Sequence, residues 1–289
     1  MCGIAGAIDF SASARSASLV TAVAAVCARL THRGPDASGQ WQSPEGQCVL
    51  GHRRLAIIDL DPRSNQPMLT ADQRYSIVFN GEIYNFKALR HQLEAAGLRF
   101  RTESDTEVLL AGYAHWGDAL FQRLDGMFAL AIYDTLRREL VLARDRMGEK
   151  PLYYARSSGT LVFASELKAL LCVDGLATTV SERGLFDYFA LRYVPDPATI
   201  FDEVLSVQPG TWLRFDEHGR SQERAWYAFD VEAPFVGSEE DYVDAVEEAL
   251  TAAVRTRLVA DVPVGALLTK NWIFAKLFDR MDRAWCMAP

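Results

Sequence analysis

Apolar residues along most of this chain occur in short runs rich in small and β-branched residues, which is typical of strands. The pattern predicts strands near residues 2–10, 40–44, 47–52, 55–59, 75–79, 127–133, 139–144, 152–155, 161–164 and 264–268. Helical spacing predicts helices near 16–30, 85–97, 104–116 and 240–258, and residues 182–215 resemble a helix, a loop and a closing strand. Runs of strands with few helices, without strict β-α-β alternation, favour an antiparallel α+β architecture.

Asn80 and Gly81 lie between two apolar runs and are open to two interpretations. An Asn-Gly pair is a strong signal for a tight hairpin turn. Alternatively, a side-chain amide next to a backbone N–H could supply two donors to a tetrahedral oxyanion. The local pattern alone is compatible with both.

Length and charge narrow the classes of protein. The chain has 289 residues, which at about 150 residues per domain predicts two domains, or one large domain with an appendage. Thirty Lys and Arg residues against thirty-eight Asp and Glu residues give a net charge of −8. This balance argues against a dedicated binder of nucleic acid or of an anionic membrane, and residues 19–30 are too short an apolar segment to span a bilayer.

The five cysteines, at positions 2, 27, 48, 172 and 286, are sparse and odd in number. They form no CxxC pair and have no short spacing to histidine, so we expect no metal site. Their use is typical of a protein in a reducing compartment, and we expect a cytoplasmic location.

Three groups of residues could carry chemistry. If Met1 is removed, Cys2 becomes the first residue, and its free α-amine could act as a base for its own thiol. Arg54 offers a guanidinium fork suited to a carboxylate, and Glu82 and Asp105 could together hold an ammonium group. Each feature also has an ordinary structural explanation, such as a solvated arginine or an acidic residue in the first turn of a helix.

The order of the motifs, however, resembles one family closely. Matching segments are dense along residues 2–215, at 1–6, 32–36, 51–59, 65–68, 79–85, 104–107, 124–129, 144–154 and 163–168. Together they resemble the glutamine amidotransferase domain of asparagine synthetases, a class II domain with an N-terminal nucleophile. The sequence Phe-Asn-Gly-Glu-Ile-Tyr-Asn at 79–85 resembles this branch more than the purine, glucosamine or glutamate synthase branches. The resemblance implies a four-layer αββα sandwich of two antiparallel sheets.

The resemblance also implies a role for each candidate residue. Cys2 matches the nucleophile, Asn80 and Gly81 match the oxyanion hole, and Arg54 matches the residue that binds the α-carboxylate of glutamine. Glu82 and Asp105 match the residues that bind its α-ammonium group. The implied reaction is hydrolysis of glutamine to glutamate and ammonia without a cofactor, and none of the five histidines needs a catalytic role.

The resemblance divides the chain into an amidotransferase domain at 2–218, the beginning of an ATP-binding synthetase domain at 219–268 and a divergent tail at 269–289. Where the family has a Gly-rich pyrophosphate loop, residues 269–274 read Thr-Lys-Asn-Trp-Ile-Phe, which lacks the glycines of a phosphate cradle. ATP and Mg are therefore expected only for the full-length family. We interpret the chain as truncated, and a short form with its own tail is the alternative.

Two functional hypotheses follow. In the first, the chain is a glutaminase of the asparagine synthetase type, with glutamine as its small-molecule substrate and a homodimer as a candidate assembly. In the second, it is a non-catalytic remnant or an interaction module that keeps the amidotransferase fold. No partner protein is assigned by the sequence, a separate synthetase included.

Overall fold

The computed structural model describes residues 1–11, 16–229 and 235–265, and the chain divides into two units, Met1–Phe229 and Asp230–Pro289. The predicted tail at 269–289 and most of the predicted strand at 264–268 lie outside the described residues. The two units are described separately below.

The strands of the first unit form two antiparallel six-stranded sheets. Sheet A contains β1 (Gly3–Asp9), β2 (Ala37–Gln42), β3 (Cys48–Arg54), β8 (Tyr153–Ser157), β9 (Thr160–Ala164) and β10 (Val204–Ser206), in the order β10-β8-β9-β1-β3-β2. Sheet B contains β4 (Met68–Leu69), β5 (Tyr75–Ile83), β6 (Gly126–Asp134), β7 (Glu139–Arg144), β11 (Thr211–Phe215) and β12 (Ser221–Ala225), in the order β12-β11-β7-β6-β5-β4.

Helices connect these strands. The first unit contains α1 (Ser16–Arg29), α2 (Phe86–Ala95), α3 (Asp105–Trp116), α4 (Leu167–Leu170) and α5 (Glu182–Leu191), with 3₁₀ helices at Pro62–Ser64 and Gly117–Arg123. The cap residues act locally: the Ser104 hydroxyl accepts the Glu107 N–H at the start of α3, and Gly117 ends that helix with a φ of 57°.

The layers follow from side-chain alternation along buried strands. In β1 every residue is buried; Ile4 and Ile8 belong to the core shared by both sheets, whereas Ala5 and Ala7 belong to the core beneath α1 and α4. Successive side chains of a strand point to opposite faces, so one strand serves two cores. On the far side, Tyr113 of α3 packs edge-on against a tyrosine of β5. The αββα sandwich that the resemblance implied is confirmed.

Two local predictions are wrong. Residues 55–59 do not form a strand; after Arg54 the chain leaves sheet A as a loop. The hairpin interpretation of Asn80 and Gly81 also fails, because both residues lie inside β5 and pair with Ala129 and Phe128 of β6. The apolar run at 55–59 resembles a strand, but its side chains line a pocket instead of a sheet face.

The first unit extends to Phe229 and so includes residues beyond 218, where the sequence predicts the end of the amidotransferase domain. Among these residues, β12 pairs with β11 along its whole length.

In the second unit, α6 (Glu239–Thr256) begins with a capping box: the Ser238 hydroxyl accepts the Asp241 N–H, and the Asp241 carboxylate accepts the Ser238 N–H. This helix agrees with the prediction for 240–258.

Gly81 generates a testable prediction about stability. A Cβ atom at this position would lie 2.1 Å from the carbonyl oxygen of Met127 and 2.7 Å from the Cα of Phe128. Because both atoms belong to backbone, Gly81→Ala is expected to lower the free energy of unfolding by about 1–3 kcal/mol, measured by urea denaturation.

Ser76→Ala on the same strand is the matched control. The Ser76 hydroxyl is buried without a partner among the described residues, so its removal should leave stability unchanged or slightly raise it. Equal stability of the Gly81→Ala variant and the wild type would contradict the close approach of β6.

Candidate active site

One pocket brings together all six residues singled out in the sequence. It is lined, among others, by Cys2, Arg54, Asn80, Gly81, Glu82 and Asp105. Cys2 directly precedes β1 and Arg54 ends β3, both in sheet A. Residues 80–82 lie in β5 of sheet B, and Asp105 begins α3. The sandwich thus places segments up to about a hundred residues apart around a single cavity.

Cys2 is positioned by the register of sheet A. Gly3 of β1 pairs with Arg53 of β3, so Cys2 lies beside Arg54 and Leu55. The Leu55 N–H donates to the Cys2 sulfur at 3.4 Å. Burial raises the pKa of the Cys2 thiol, with the hydrogen bond to Leu55 acting in the opposite direction. The thiol is therefore protonated near neutral pH, and a base must remove its proton before the sulfur can attack.

An ion-pair cluster holds the main chain of Cys2. Arg33 donates from Nε to the Cys2 carbonyl at 2.9 Å and from Nη1 to the Glu166 carboxylate at 2.8 Å. His32 and Lys168 contact the same carboxylate at 2.8 and 3.0 Å. The hydrogen bonds from Arg33, His32 and Lys168 outweigh desolvation and lower the Glu166 pKa to about 2. Glu166 therefore stays charged and fixes the guanidinium that holds Cys2.

The Asn80 side chain is a buried amide without a partner. Asn80 is 1% exposed, and among the described residues neither Oδ1 nor Nδ2 has a hydrogen-bond partner. An unpaired buried amide is costly, so such a group calls for an explanation by a ligand or by function. Because Asn80 lines the same pocket as the Cys2 sulfur, its amide can donate to a ligand atom that the sulfur also contacts.

The Gly81 N–H faces the same pocket edge of β5. Main-chain groups of a strand point to alternate edges, and the N–H groups of Phe79 and Ile83 donate to Gln66 Oε1 at 2.6 Å and to Asp105 Oδ2 at 3.1 Å. Gly81 lies midway between them, so its N–H points to the same edge. In the described structure β4 pairs with β5 only at Ser76 and Ile77, which leaves this edge open at position 81.

Asp105 and Glu82 make one side of the pocket acidic. Asp105 is buried, and burial raises the pKa of its carboxyl to about 7, with the nearby charge of Glu82 adding to the effect. A bound cation would favour the ionised carboxylate. This pair is therefore suited to an ammonium group, and its role in binding one stays a prediction.

Arg54 lines the pocket, but its guanidinium is also bound by the loop that follows β3. Nη1 donates to the Asp61 carbonyl at 3.1 Å and to Asn65 Oδ1 at 2.7 Å, and Nη2 donates to the carbonyls of Ile58 and Asp59. Arg54 thereby shapes the wall of the pocket. Its role as a carboxylate clamp stays a prediction.

His52 joins the two sheets next to the pocket. Its Nε2 lies 3.2 Å from the Phe79 carbonyl, which can only accept, so Nε2 carries the proton. Burial lowers the pKa of His52 to about 3, and the imidazole is neutral at physiological pH.

Sequence reasoning assigned no role to Arg33, Gln66 or Lys150, which the structure places around the same site. All three lie within the sequence segments that resemble the family. Their contacts depend on pairings between distant strands, which no local pattern reveals.

In residues 1–11, 16–229 and 235–265, no group of three or more His, Cys, Asp or Glu side chains is arranged to hold a metal ion. Among the helices described above, none combines the length and apolar composition needed to cross a bilayer.

Comparison with known proteins identifies relatives. Glutamine-hydrolyzing asparagine synthetase 1 of Bacillus subtilis is 35% identical over 269 residues, covering 93% of this chain and 42% of that protein. Glutamine-hydrolyzing asparagine synthetase 3 of the same organism is 36% identical over 273 residues, with coverages of 93% and 43%. The chain thus spans less than half the length of these relatives.

The fold also has counterparts among solved structures. Glutamine phosphoribosylpyrophosphate amidotransferase from B. subtilis superposes with a TM-score of 0.60 at 20% identity, covering 78% of this chain and 49% of that one. Residues 1–227 match the family model of the glutamine amidotransferase domain. This match covers the whole pocket, both sheets and β12, and on that basis the chain belongs to the glutamine amidotransferase domain family.

Proposed function

We propose that the chain hydrolyses glutamine to glutamate and ammonia, with Cys2 as an N-terminal nucleophile. The observation that carries this proposal is the Asn80 amide, buried without a partner among the described residues in the same pocket as the Cys2 sulfur. A donor held in place with nothing to bind is suited to an oxyanion that exists only during the reaction.

Substrate recognition would use the charges of the pocket. Glutamine carries an α-ammonium and an α-carboxylate, and its reactive amide lies at the other end. Glu82 and Asp105 would bind the ammonium, and Arg54, which lines the pocket, would bind the carboxylate. Fixing both charged groups would hold the side-chain amide against Cys2.

The reaction would proceed through a thioester. The α-amine of Cys2 takes the thiol proton while the sulfur attacks the amide carbon, and the carbonyl oxygen becomes an oxyanion held by the Asn80 amide and the Gly81 N–H. The amine then gives the proton to the departing nitrogen, which leaves as ammonia. Water, deprotonated by the same amine, attacks the thioester and releases glutamate and the thiol.

This scheme needs no cofactor for hydrolysis. Because burial raises the pKa of the Cys2 thiol, a base within reach is required, and the residue's own amine supplies it without a catalytic histidine. The amine is free only after Met1 has been removed.

The names of the relatives bear on how the released ammonia would be used. They are named as glutamine-hydrolyzing asparagine synthetases, and this chain covers less than half of them. We propose that the chain is the glutaminase part of an asparagine synthetase-like protein that acts in the cytoplasm, where its ammonia would serve an ATP- and Mg-dependent amidation. The alternative of a non-catalytic remnant is not favoured, since all six predicted residues line one pocket.

The first prediction concerns the nucleophile. Purified full chain is expected to release ammonia from glutamine, and intact mass measurement should show that active protein lacks Met1. Cys2→Ala should abolish turnover, and Cys27→Ala, which alters a cysteine outside the pocket, should leave it intact. A wild-type chain that starts at Cys2 and releases no ammonia would favour the non-catalytic alternative.

The second prediction concerns the oxyanion. Asn80→Ala should lower kcat about 10²–10³-fold and change KM little, because the lost donor acts on charge that develops in the transition state. Ser76→Ala, on the same strand, is the control for damage to sheet B. A large rise in KM with unchanged kcat would assign Asn80 to ground-state binding instead.

The third prediction concerns pH. Because the pKa of Asp105 is raised to about 7, its carboxylate loses charge as the pH falls through 7, and the ammonium group loses a partner. Glutamine affinity should therefore weaken by up to about tenfold per pH unit below 7. Calorimetric titration of the Cys2→Ala variant from pH 5.5 to 8.5 measures binding without turnover.

Asp105→Asn in that background is the control. It should bind glutamine more weakly above pH 7, approach the affinity of the protein that retains Asp105 at low pH, and show little pH dependence in this range. A Cys2→Ala protein whose affinity is constant between pH 5.5 and 8.5 would argue against an ammonium contact with Asp105.

A further inference from the structure

Lys150 is a buried cation in the active-site pocket that the reaction scheme above does not use. It is 6% exposed and lines the same cavity as Cys2 and Glu82. A lysine is seldom buried unless its charge has a purpose or a partner. Its Nζ lies 3.3 Å from the sulfur of Met1, at the very start of the chain.

The loop that carries Lys150 is held by the side chains of Asp145 and Arg144. The Asp145 carboxylate accepts the N–H groups of Phe128, Met147, Glu149 and Lys150 at 2.9–3.0 Å. Arg144 donates from Nε to the Lys150 carbonyl at 2.9 Å. Several bonds on either side of Lys150 therefore limit where its side chain can go, and the ammonium group is directed into the pocket.

A second cation lies near Met1. Nη2 of Arg33 is 4.0 Å from the Met1 sulfur, so this sulfur lies close to both the guanidinium of Arg33 and the ammonium of Lys150. Removal of Met1 exposes the α-amine of Cys2 in the space next to both charges.

We propose that Lys150 is a positioning residue which, with Arg33, keeps the α-amine of Cys2 in its uncharged, basic form by placing positive charge beside it. The proposal rests on the proposed function, since it assigns that amine as the base. A second positive charge a few ångströms from an amine disfavours its protonation. The amine then keeps the lone pair that must accept the thiol proton.

The other charged groups of the pocket determine how much of this effect remains. Glu82 and Asp105 are acidic and favour a protonated amine, whereas Arg54 acts in the same direction as Lys150. The charge of Arg33 is largely balanced by Glu166 at 2.8 Å. Burial lowers the pKa of the Lys150 ammonium, whereas the nearby charges of Glu82, Glu149 and Asp145 act in the opposite direction. None of the ion pairs among the described residues includes Lys150, so its positive charge is less closely balanced than that of Arg33.

The amino group of Met1 already shows the trend. Burial lowers its pKa, and the charges of Arg33 and Lys150 lower it further, against opposing effects of the Cys2 thiol and of the Glu82 carboxylate. The α-amine of Cys2 belongs to the residue whose carbonyl accepts the Arg33 hydrogen bond, and it is expected to experience both charges.

The first test is the pH profile of kcat at saturating glutamine, because titration of Asp105 affects kcat/KM through glutamine binding. Lys150→Met should move the acidic limb to higher pH by about half a unit to one unit, because the amine becomes easier to protonate. Lys150→Arg keeps the charge and should keep the limb in place. Lys87→Met, which removes an exposed lysine from α2, controls for the change in net charge.

The second test needs no turnover. In the Cys2→Ser background, with loss of Met1 verified by intact mass, the rate of acetylation of the N-terminal amine by acetic anhydride is measured against pH. Adding Lys150→Met or Lys150→Gln should raise the amine pKa by the same half unit to one unit, and Lys150→Arg should not. Two neutral substitutions are used so that, if one variant misfolds, the other still tests the proposal.

The two tests separate the proposals. If the wild type releases no ammonia but the amine titration shifts as expected, the proposed function fails and the effect of Lys150 stands. If Lys150→Met lowers kcat while the acidic limb and the amine titration stay in place, Lys150 only supports the pocket and the inference is overturned.

Discussion

The antiparallel pairing of β1 with β3 fixes where the sulfur of Cys2 lies, and every contact of the site depends on it. With Gly3 opposite Arg53, Cys2 meets the Leu55 N–H, and Arg54 begins the loop that closes the pocket. A shift of one residue would turn Ile4 and Ile8 toward the helices and the small residues of β1 toward sheet B. Because only one register of β1 satisfies both cores, the packing of these cores also fixes the position of Cys2.

Burial then determines the chemistry of the site. Burial raises the pKa of the Cys2 thiol and of the Asp105 carboxyl, and the Asn80 amide is buried without a hydrogen-bond partner among the described residues. In each case the free protein holds a polar group in an unfavourable environment. A substrate with an ammonium group at one end and an amide at the other would relieve all three, so affinity and reactivity arise from the same desolvation.

Much of the fold and of the site could be predicted from the sequence. The pattern of apolar and polar positions indicates which strands are buried, and the order of the motifs indicates which family the chain resembles. All six predicted residues line one pocket, although their roles stay predictions. The strand expected at 55–59 failed because its apolar residues form a pocket wall whose carbonyls bind Arg54. Lys150 had no assigned role because its neighbour Met1 lies 149 positions away, a contact that only the fold creates.

The hydrogen bond from His52 to the Phe79 carbonyl has a mechanical consequence. It runs from sheet A, which carries the nucleophile, to the residue of sheet B that directly precedes the oxyanion donor. The two halves of the site lie on separate sheets, so sliding of one layer over the other would alter the distance between sulfur and amide. Because His52 stays neutral down to a pH of about 3, acidification in the ordinary range leaves this tie intact. Substitutions deep in the core could therefore change turnover without touching the pocket, by altering how the sheets align.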